Sequence, residues 1–360
     1  MVGRREGGSL SSFHLNLNAA LDWQPPEHWQ RVIVVDSHAG GEPFRVVISG
    51  VPEPEGETVL DRRRYAESHL DHLRRILMWE PRGHADMYGG IIGSPTTEGS
   101  DLSVLFIHNQ GFSTMCGHGI IALTKAALET GILPITEPIA TIVIDTPAGR
   151  VVATASVFGG VVRGVRFRNV PSFVLELDAR VEVPGLGEVG YDLAFGGAFY
   201  AYVDVAAVGL TCTPADPSRL IEMGRLIKKA VNASREIRHP LEDDLGFLYG
   251  VIFVGPAESP GNHSRNVCVF AEGELDRSPT GTGVSGRLAI HHARGDVEVG
   301  ETIVVESIVG STFTGTVAEV TEFGGYPAVI PEIGGEAHIL GRSEYWIDPE
   351  DRLGDGFLLR

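Results

Sequence analysis

Cys116 lies in Met115-Cys116-Gly117-His118-Gly119, and a near-copy, Pro279-Thr280-Gly281-Thr282-Gly283, recurs later with threonine in place of the cysteine. Each segment opens a run with helical character, and each run reaches a glycine 15 residues on, at Gly131 and at Gly295. A Gly-x-Gly turn entering a helix leaves backbone N–H groups unpaired and puts the positive end of the helix dipole there. Two such turns brought together would form an anion pocket with a thiol on one and a hydroxyl on the other. Free cysteine titrates near ~8.5, and that value falls at a helix N-terminus or beside a cationic histidine. The position therefore nominates Cys116 as a catalytic group, with His118 contributing to a polar site. The bland alternative is a buried packing cysteine, and the glycine-flanked helix start favours chemistry. Cys212 and Cys268 read the other way, because Cys268 lies inside the apolar strand Val267-Cys268-Val269-Phe270, where core packing is expected.

Other polar groups cluster near the second turn. Asp276 precedes Thr280 by four residues and could hold a substrate ammonium, or could simply cap the turn. Gly281-Thr282-Gly283-Val284-Ser285-Gly286 matches the spacing of a dinucleotide fingerprint. The strand before it ends too far back, near Ala271, and its first copy lacks the third glycine, so it reads as a small-anion turn. His291 and His292 fall past the first turn of the helix and are expected on a solvated face. Glu80-Pro81-Arg82-Gly83-His84 is either a loop near the site or a plain turn.

The elements that carry these groups are themselves repeated. Thr141-Ile142-Val143-Ile144-Asp145-Thr146 reads against Thr302-Ile303-Val304-Val305-Glu306-Ser307, and Gly40-Gly41-Glu42-Pro43-Phe44 faintly echoes Gly196-Gly197-Ala198-Phe199-Tyr200. Echoes in one order predict two halves of similar α/β fold, a duplication and not a solenoid. Strands are expected at Arg31–Val35, running into a turn-like Asp36–Gly41, and at Phe44–Ile48, Leu102–Ile107, Phe199–Val205, Leu248–Val254 and Val267–Ala271. Several more are expected between Ile139 and Val170 and between Ile303 and Val320. Helices are expected over Asp61–Met78 and Ser218–Val231 and after each Gly-x-Gly turn. Glycines and Pro184 punctuate Pro184–Gly190, which places a first domain over 27–188 and a second over 189–345. Residues 1–26 read as a mobile or weakly docked arm, and 346–360 as a tail assigned to neither domain.

The formal charge of −18 disfavours a general nucleic-acid binder, which needs a basic stripe. The charge is spread along the chain and reads as solubility, while a small anionic substrate stays compatible with local backbone dipoles. Three cysteines without Cys-x-x-Cys spacing argue against a disulfide framework and against a structural zinc site, and fit a reducing cytoplasm. No apolar run is long enough for a transmembrane helix, and the first 25 residues lack the apolar core of a secretory signal.

Taken together, these motifs resemble the two signatures of the proline racemase superfamily, the second spanning Asp276-Arg277-Ser278-Pro279-Thr280-Gly281-Thr282-Gly283. Asp36 to Pro43, Glu80 to His84 and Gly196 to Ala201 look like other landmarks of that family, so the resemblance runs from about Val32 to the C-terminus. It implies a diaminopimelate-epimerase-like fold: two α/β domains related by a pseudo-twofold axis, with the active site in the cleft between them. Family racemases and epimerases carry cysteine in both motifs, one thiolate removing the α-proton and the other thiol protonating the opposite face. This chain departs at Thr280. A threonine hydroxyl is too weak an acid for that task, and a racemase needs a matched acid and base on two faces.

The cysteine/threonine pair resembles instead the family's trans-3-hydroxy-L-proline dehydratases. In that substrate the hydroxyl and the α-hydrogen share a ring face, so one group there could serve both. The resemblance implies Cys116 as that catalytic group and Thr280 for binding and pocket shape. It implies carboxylate binding by the backbone at Gly117, His118, Gly281 and Thr282, contact of Asp276 and His118 with the ring nitrogen, and aromatic walls at Tyr88 and Phe270. It implies no metal and no organic cofactor, only a small imino acid as partner, and leaves a homodimer open. The alternatives are a proline racemase or 4-hydroxyproline epimerase using Cys116 alone or with a water, and a binding protein that kept the pocket without turnover.

Overall fold

The computed structural model describes residues 17–215 and 217–359. The first half runs β1 (Gln30–Ala39), β2 (Glu42–Ser49), β3 (Tyr88–Gly93), β4 (Leu102–His108), β5 (Gly111–Ser113), β6 (Ile139–Thr146), β7 (Gly149–Phe158) and β8 (Val161–Arg168). The second runs β9 (Ser172–Val183), β10 (Gly187–Phe195), β11 (Phe199–Asp204), β12 (Leu248–Gly255), β13 (Ser264–Phe270), β14 (Glu274–Leu275), β15 (Thr302–Glu306), β16 (Thr312–Phe323) and β17 (Tyr326–Gly335), before a last strand, β18 (Ala337–Ile347). The helices are α1 (Leu17–Asp22), α2 (Val59–His69), α3 (Asp71–Met78), α4 (Gly117–Glu129), α5 (Pro217–Ser234) and α6 (Gly281–Arg294).

Strand pairing repeats between the halves. β1–β2 is antiparallel, β2–β3 parallel, β3–β4 antiparallel and β4–β6 parallel. The same alternation follows in β10–β11, β11–β12, β12–β13 and β13–β15. Each sheet wraps a helix that is buried nearly all round: every residue from Gly117 to Leu128 of α4 and from Gly281 to Ile290 of α6. Polar residues inside these helices find partners, Lys125 at the Val162 carbonyl, Ser285 at the Gly281 carbonyl and Arg287 at Asn266. The two halves therefore form the pseudo-symmetric two-domain α/β arrangement expected, joined along β8–β17.

The echo between Thr141–Thr146 and Thr302–Ser307 has a physical cause. Asp145, near the end of β6, accepts from the backbone N–H groups of Thr96 and Thr97 and from the Ser100 hydroxyl. Glu306, at the end of β15, accepts from the N–H groups of Glu258 and Ser259 and from the Asn262 amide. Each buried carboxylate staples the loop that leads into the neighbouring strand. Burial alone would raise the Glu306 pKa, but its donors outweigh that and hold it at about 2.

Several expected boundaries shift. The turn-like Asp36–Gly41 is mostly strand: Asp36 pairs with Arg45 and the Ser37 hydroxyl donates to the Phe44 carbonyl, so polar residues stay in the ladder and only Gly40-Gly41 turns. The helix expected over Asp61–Met78 breaks at Leu70, whose side chain turns into the core while Asp71 starts a new helix by pairing with Arg74. Pro184–Gly190 is no linker, because it holds the tip of the β9–β10 hairpin. β18 returns to pair with β1 in the first half.

Residues 1–16 of the expected arm lie outside the described residues. Its remainder holds the exposed α1, and Trp23 packs edge-on against Trp346. The tail docks on the first half, the Phe357 N–H donating to the Glu80 carbonyl and Arg82 to the Gly354 carbonyl. Among the described residues no helix is long and apolar enough to cross a membrane.

Candidate active site

The repeated helix starts meet at the junction of the halves. A Cβ on Gly117 would lie 2.6 Å from the Gly281 Cα, and one on Gly281 would lie 2.8 Å from the Gly117 Cα. Only glycine lets the two N-termini approach this closely, which is why both motifs have it. Beside this junction is a small closed cavity of about 20 Å³, lined by Cys116, Gly117, His118, Tyr88, Phe270, Asp276, Thr280, Gly281 and Thr282. Every expected site residue is therefore in one place. That is room for little more than one water, so this is the closed form of the site, since open ligand pockets hold roughly 300–1,000 Å³. A dinucleotide has no room there.

Cys116 caps α4. Its sulfur accepts from the Gly119 N–H at 3.3 Å and lies 3.2 Å from His118 Nδ1 and 3.6 Å from Nε2. The expected low thiol pKa is not what the free protein has. Burial pushes the Cys116 thiol well up, the Gly119 N–H opposes this, and the charges of Asp276 and Glu42 raise it further. Burial also lowers His118 to about 4, so the imidazole is neutral and offers no cationic partner. A helix N-terminus is worth less than the desolvation of a fully enclosed sulfur.

Thr280 caps α6 differently. Its φ is 63°, and its side chain makes no bond to the helix. The hydroxyl donates instead to Asp276 Oδ2 at 2.7 Å, and Asp276 Oδ1 accepts from the Ser278 N–H at 2.7 Å. Asp276 is thus both a turn cap and a carboxylate facing the cavity, so the two readings of it are compatible.

Sequence reasoning missed four lining residues, Met115, Tyr200, Tyr249 and Cys268. Cys268 is fully buried in β13, as expected of a packing residue, yet it also borders the cavity. The Tyr200 hydroxyl bonds the Thr282 hydroxyl at 2.8 Å. Tyr249 had a signal: Met87-Tyr88-Gly89 and Leu248-Tyr249-Gly250 are spaced like the Thr141 and Thr302 segments, 161 residues apart. Glu42, in the Gly40-Gly41 hairpin, accepts from the Arg277 N–H across the cleft at 2.7 Å, and burial pushes its carboxyl well up. Glu80–His84 does not line the cavity and serves as a docking loop for the tail. His291 is half-buried and not solvated, because it accepts from Arg287 and faces Asp296. All three cysteines are free. Among the described residues no group of three His, Cys, Asp or Glu side chains is placed to hold a metal ion.

Two α/β halves that abut at helix N-termini, with a thiol and a carboxylate in the closed cleft, define a class of cleft enzymes acting on small carboxylates. Residues 34–358 match the proline racemase family model, and the chain belongs to that family. A protein of Colwellia psychrerythraea named trans-3-hydroxy-L-proline dehydratase is 48% identical over 94% of this chain and 96% of its own length. One of Burkholderia multivorans named 3-hydroxyproline 2-epimerase is 45% identical over 91% of this chain and 97% of its own. The crystal structure of a hydroxyproline epimerase from Agrobacterium vitis with bound trans-4-hydroxy-L-proline superposes with a TM-score of 0.87. It is 35% identical and covers 92% of this chain and 96% of that one.

Proposed function

We propose that this chain is a hydro-lyase that dehydrates trans-3-hydroxy-L-proline. The observation that carries the reading is the unlike pair of helix caps: a thiol free to face substrate on α4, and on α6 a hydroxyl already donated to Asp276. The substrate carboxylate binds the N–H groups at Gly117-His118 and Gly281-Thr282, where two helix dipoles converge. The same groups stabilise the charge that spreads onto the carboxylate as the α-proton leaves. The ring ammonium sits on Asp276 and His118, between walls formed by Tyr88 and Phe270.

That ammonium activates the thiol. It brings a positive charge into a dry cavity where burial, Asp276 and Glu42 otherwise keep Cys116 protonated. The Cys116 proton passes to solvent water while the cleft is still open. The thiolate then takes the α-proton, and the Cα–H electrons form the C2=C3 bond. The C3–O bond breaks with its electron pair on oxygen, and oxygen takes the proton back from Cys116 to leave as water. The enamine product, Δ2-pyrroline-2-carboxylate, tautomerises to Δ1-pyrroline-2-carboxylate. The reading calls for no cofactor and fits a reducing cytoplasm. The closing halves are residues 30–168 with 337–347, and residues 172–335.

A second reading is inversion at C2, favoured by the name of the Burkholderia multivorans relative. It needs a proton donor on the Thr280 face. Incubation with trans-3-hydroxy-L-proline, trans-4-hydroxy-L-proline and L-proline decides between them. Dehydration yields a cyclic imine that o-aminobenzaldehyde traps, from the first substrate only. A changed optical rotation without imine supports inversion, and no change in any mixture leaves a binding protein.

A further inference from the structure

The proposed elimination leaves one substrate group without a partner. The carboxylate takes the helix N-termini and the ring nitrogen takes Asp276 and His118, but nothing so far receives the 3-hydroxyl. The remaining polar side-chain oxygens lining the cavity are few. The hydroxyls of Tyr200 and Thr282 bond each other at 2.8 Å, and that of Thr280 is donated to Asp276. The hydroxyls of Tyr88 and Tyr249 also bond each other, but loosely, at 3.2 Å, where an O–H···O bond is ordinarily about 2.7–2.8 Å. Tyr88 belongs to β3 of the first half and Tyr249 to β12 of the second, in the segments that echo each other. Their hydroxyls thus meet only when the cleft is closed. The Tyr88 ring packs edge-on at 5.0 Å from that of His118, whose Nδ1 is 3.2 Å from the Cys116 sulfur, which places the pair on the thiol's side of the cavity. Phe270 stacks on Tyr249 at 5.4 Å and tilts against Tyr88 at 6.0 Å, so both rings are fixed.

We propose that the Tyr88–Tyr249 hydroxyl pair is the seat of the substrate's 3-hydroxyl and of the water it becomes. The inference rests on the dehydratase reading and extends it to the leaving group. As the C3–O bond breaks, the oxygen gains charge in a cavity with no bulk water. A tyrosine O–H held beside it, its ring fixed, lowers that barrier, as a preorganised donor does for any developing oxyanion. No net proton comes from tyrosine, since the proton that makes water is the one Cys116 removed. Burial raises both phenols well above their ordinary value, so they stay donors across the working pH range. The seat also confers specificity: the 3-hydroxyl gains a hydrogen bond there that L-proline has no group to make.

The test uses the Cys116→Ser protein, in which binding is separated from turnover, with calorimetric Kd values for trans-3-hydroxy-L-proline and L-proline. The parent should prefer the hydroxylated ligand. Tyr249→Phe and Tyr88→Phe, which keep the ring, should each lower that preference by about 10-fold, while the Kd for L-proline moves less than about twofold. With Cys116 intact, Tyr249→Phe should lower kcat for imine formation on the order of 10²-fold. No preference in the parent, or a preference retained within about twofold in both folded variants, overturns the seat. The imine assay on the unmodified protein tests the dehydratase reading separately. Imine with a retained preference sinks only this inference, and a lost preference without imine sinks only that reading.

Discussion

The N-termini of α4 and α6 occupy equivalent places in the two halves and have been put to different uses. Cys116 has ordinary extended backbone, φ −144°, and its sulfur receives its own helix's Gly119 N–H. Thr280 is a β-branched residue at φ 63°, a region that costs such residues roughly 1–3 kcal/mol. It makes no cap bond, and its hydroxyl reaches back to Asp276. The first terminus keeps an atom that can exchange a proton with substrate. The second commits its side chain to the Asp276 carboxylate, which in the proposed reading holds the ring nitrogen. On that reading a duplicated fold with two equivalent helix N-termini has chemistry on one face and positioning on the other. That asymmetry suits elimination of two groups from one ring face and not inversion between faces.

Removing the exchanging atom should have the largest effect. Cys116→Ser is expected to lower imine formation by at least about 10³-fold while the melting temperature stays near the parent's, because a serine alkoxide is inaccessible near neutral pH. Retained activity would take the base role from Cys116. Next is the contact that holds the two termini together. Gly281→Ala puts a methyl 2.8 Å from the Gly117 Cα and must push the halves apart. A loss of about 10²-fold in kcat/KM is expected, the scale of a 1 Å misplacement of reacting groups, and wild-type kinetics would show that the termini need not touch.

Asp276→Asn, measured by calorimetry in the Cys116→Ser protein, should weaken binding of trans-3-hydroxy-L-proline by about 1.5–3 kcal/mol, the scale of a hydrogen bond to a charged group. An unchanged affinity would make Asp276 a turn cap alone. The smallest effect concerns the free thiol. Because burial raises its pKa, iodoacetamide labelling of Cys116 should be slow at pH 7 and still climbing at pH 9, with no plateau in between. A plateau below pH 7 would mean that the thiolate exists before substrate binds.

Much of this comparison was legible in the residues. The two Gly-x-Gly starts could be read as equivalent because each precedes a glycine at the same distance, and Asp145 and Glu306 could be matched because each ends a Thr-Ile-Val run. What escaped depends on long-range pairing. Tyr200, Tyr249 and Cys268 reach the cavity from β11, β12 and β13, whose register is fixed by partners tens of residues away. The length of β1 was hidden by Asp36 and Ser37, polar residues satisfied only by β2. The raised Cys116 thiol was illegible for the same reason. A local motif shows the helix dipole but not the Tyr88 and Phe270 rings that line the same closed cavity.

Thr280→Cys tests the central claim most directly, since it restores a thiol at the one position where the two termini differ. Incubated in deuterium oxide with L-proline or trans-4-hydroxy-L-proline, the variant should incorporate deuterium at Cα and yield the inverted isomer on chiral chromatography, which the unmodified protein should not. Its imine formation from trans-3-hydroxy-L-proline should fall only partly, because the elimination uses Cys116. Complete loss of imine in a folded Thr280→Cys protein, or efficient inversion by the unmodified one, would contradict the single-face account.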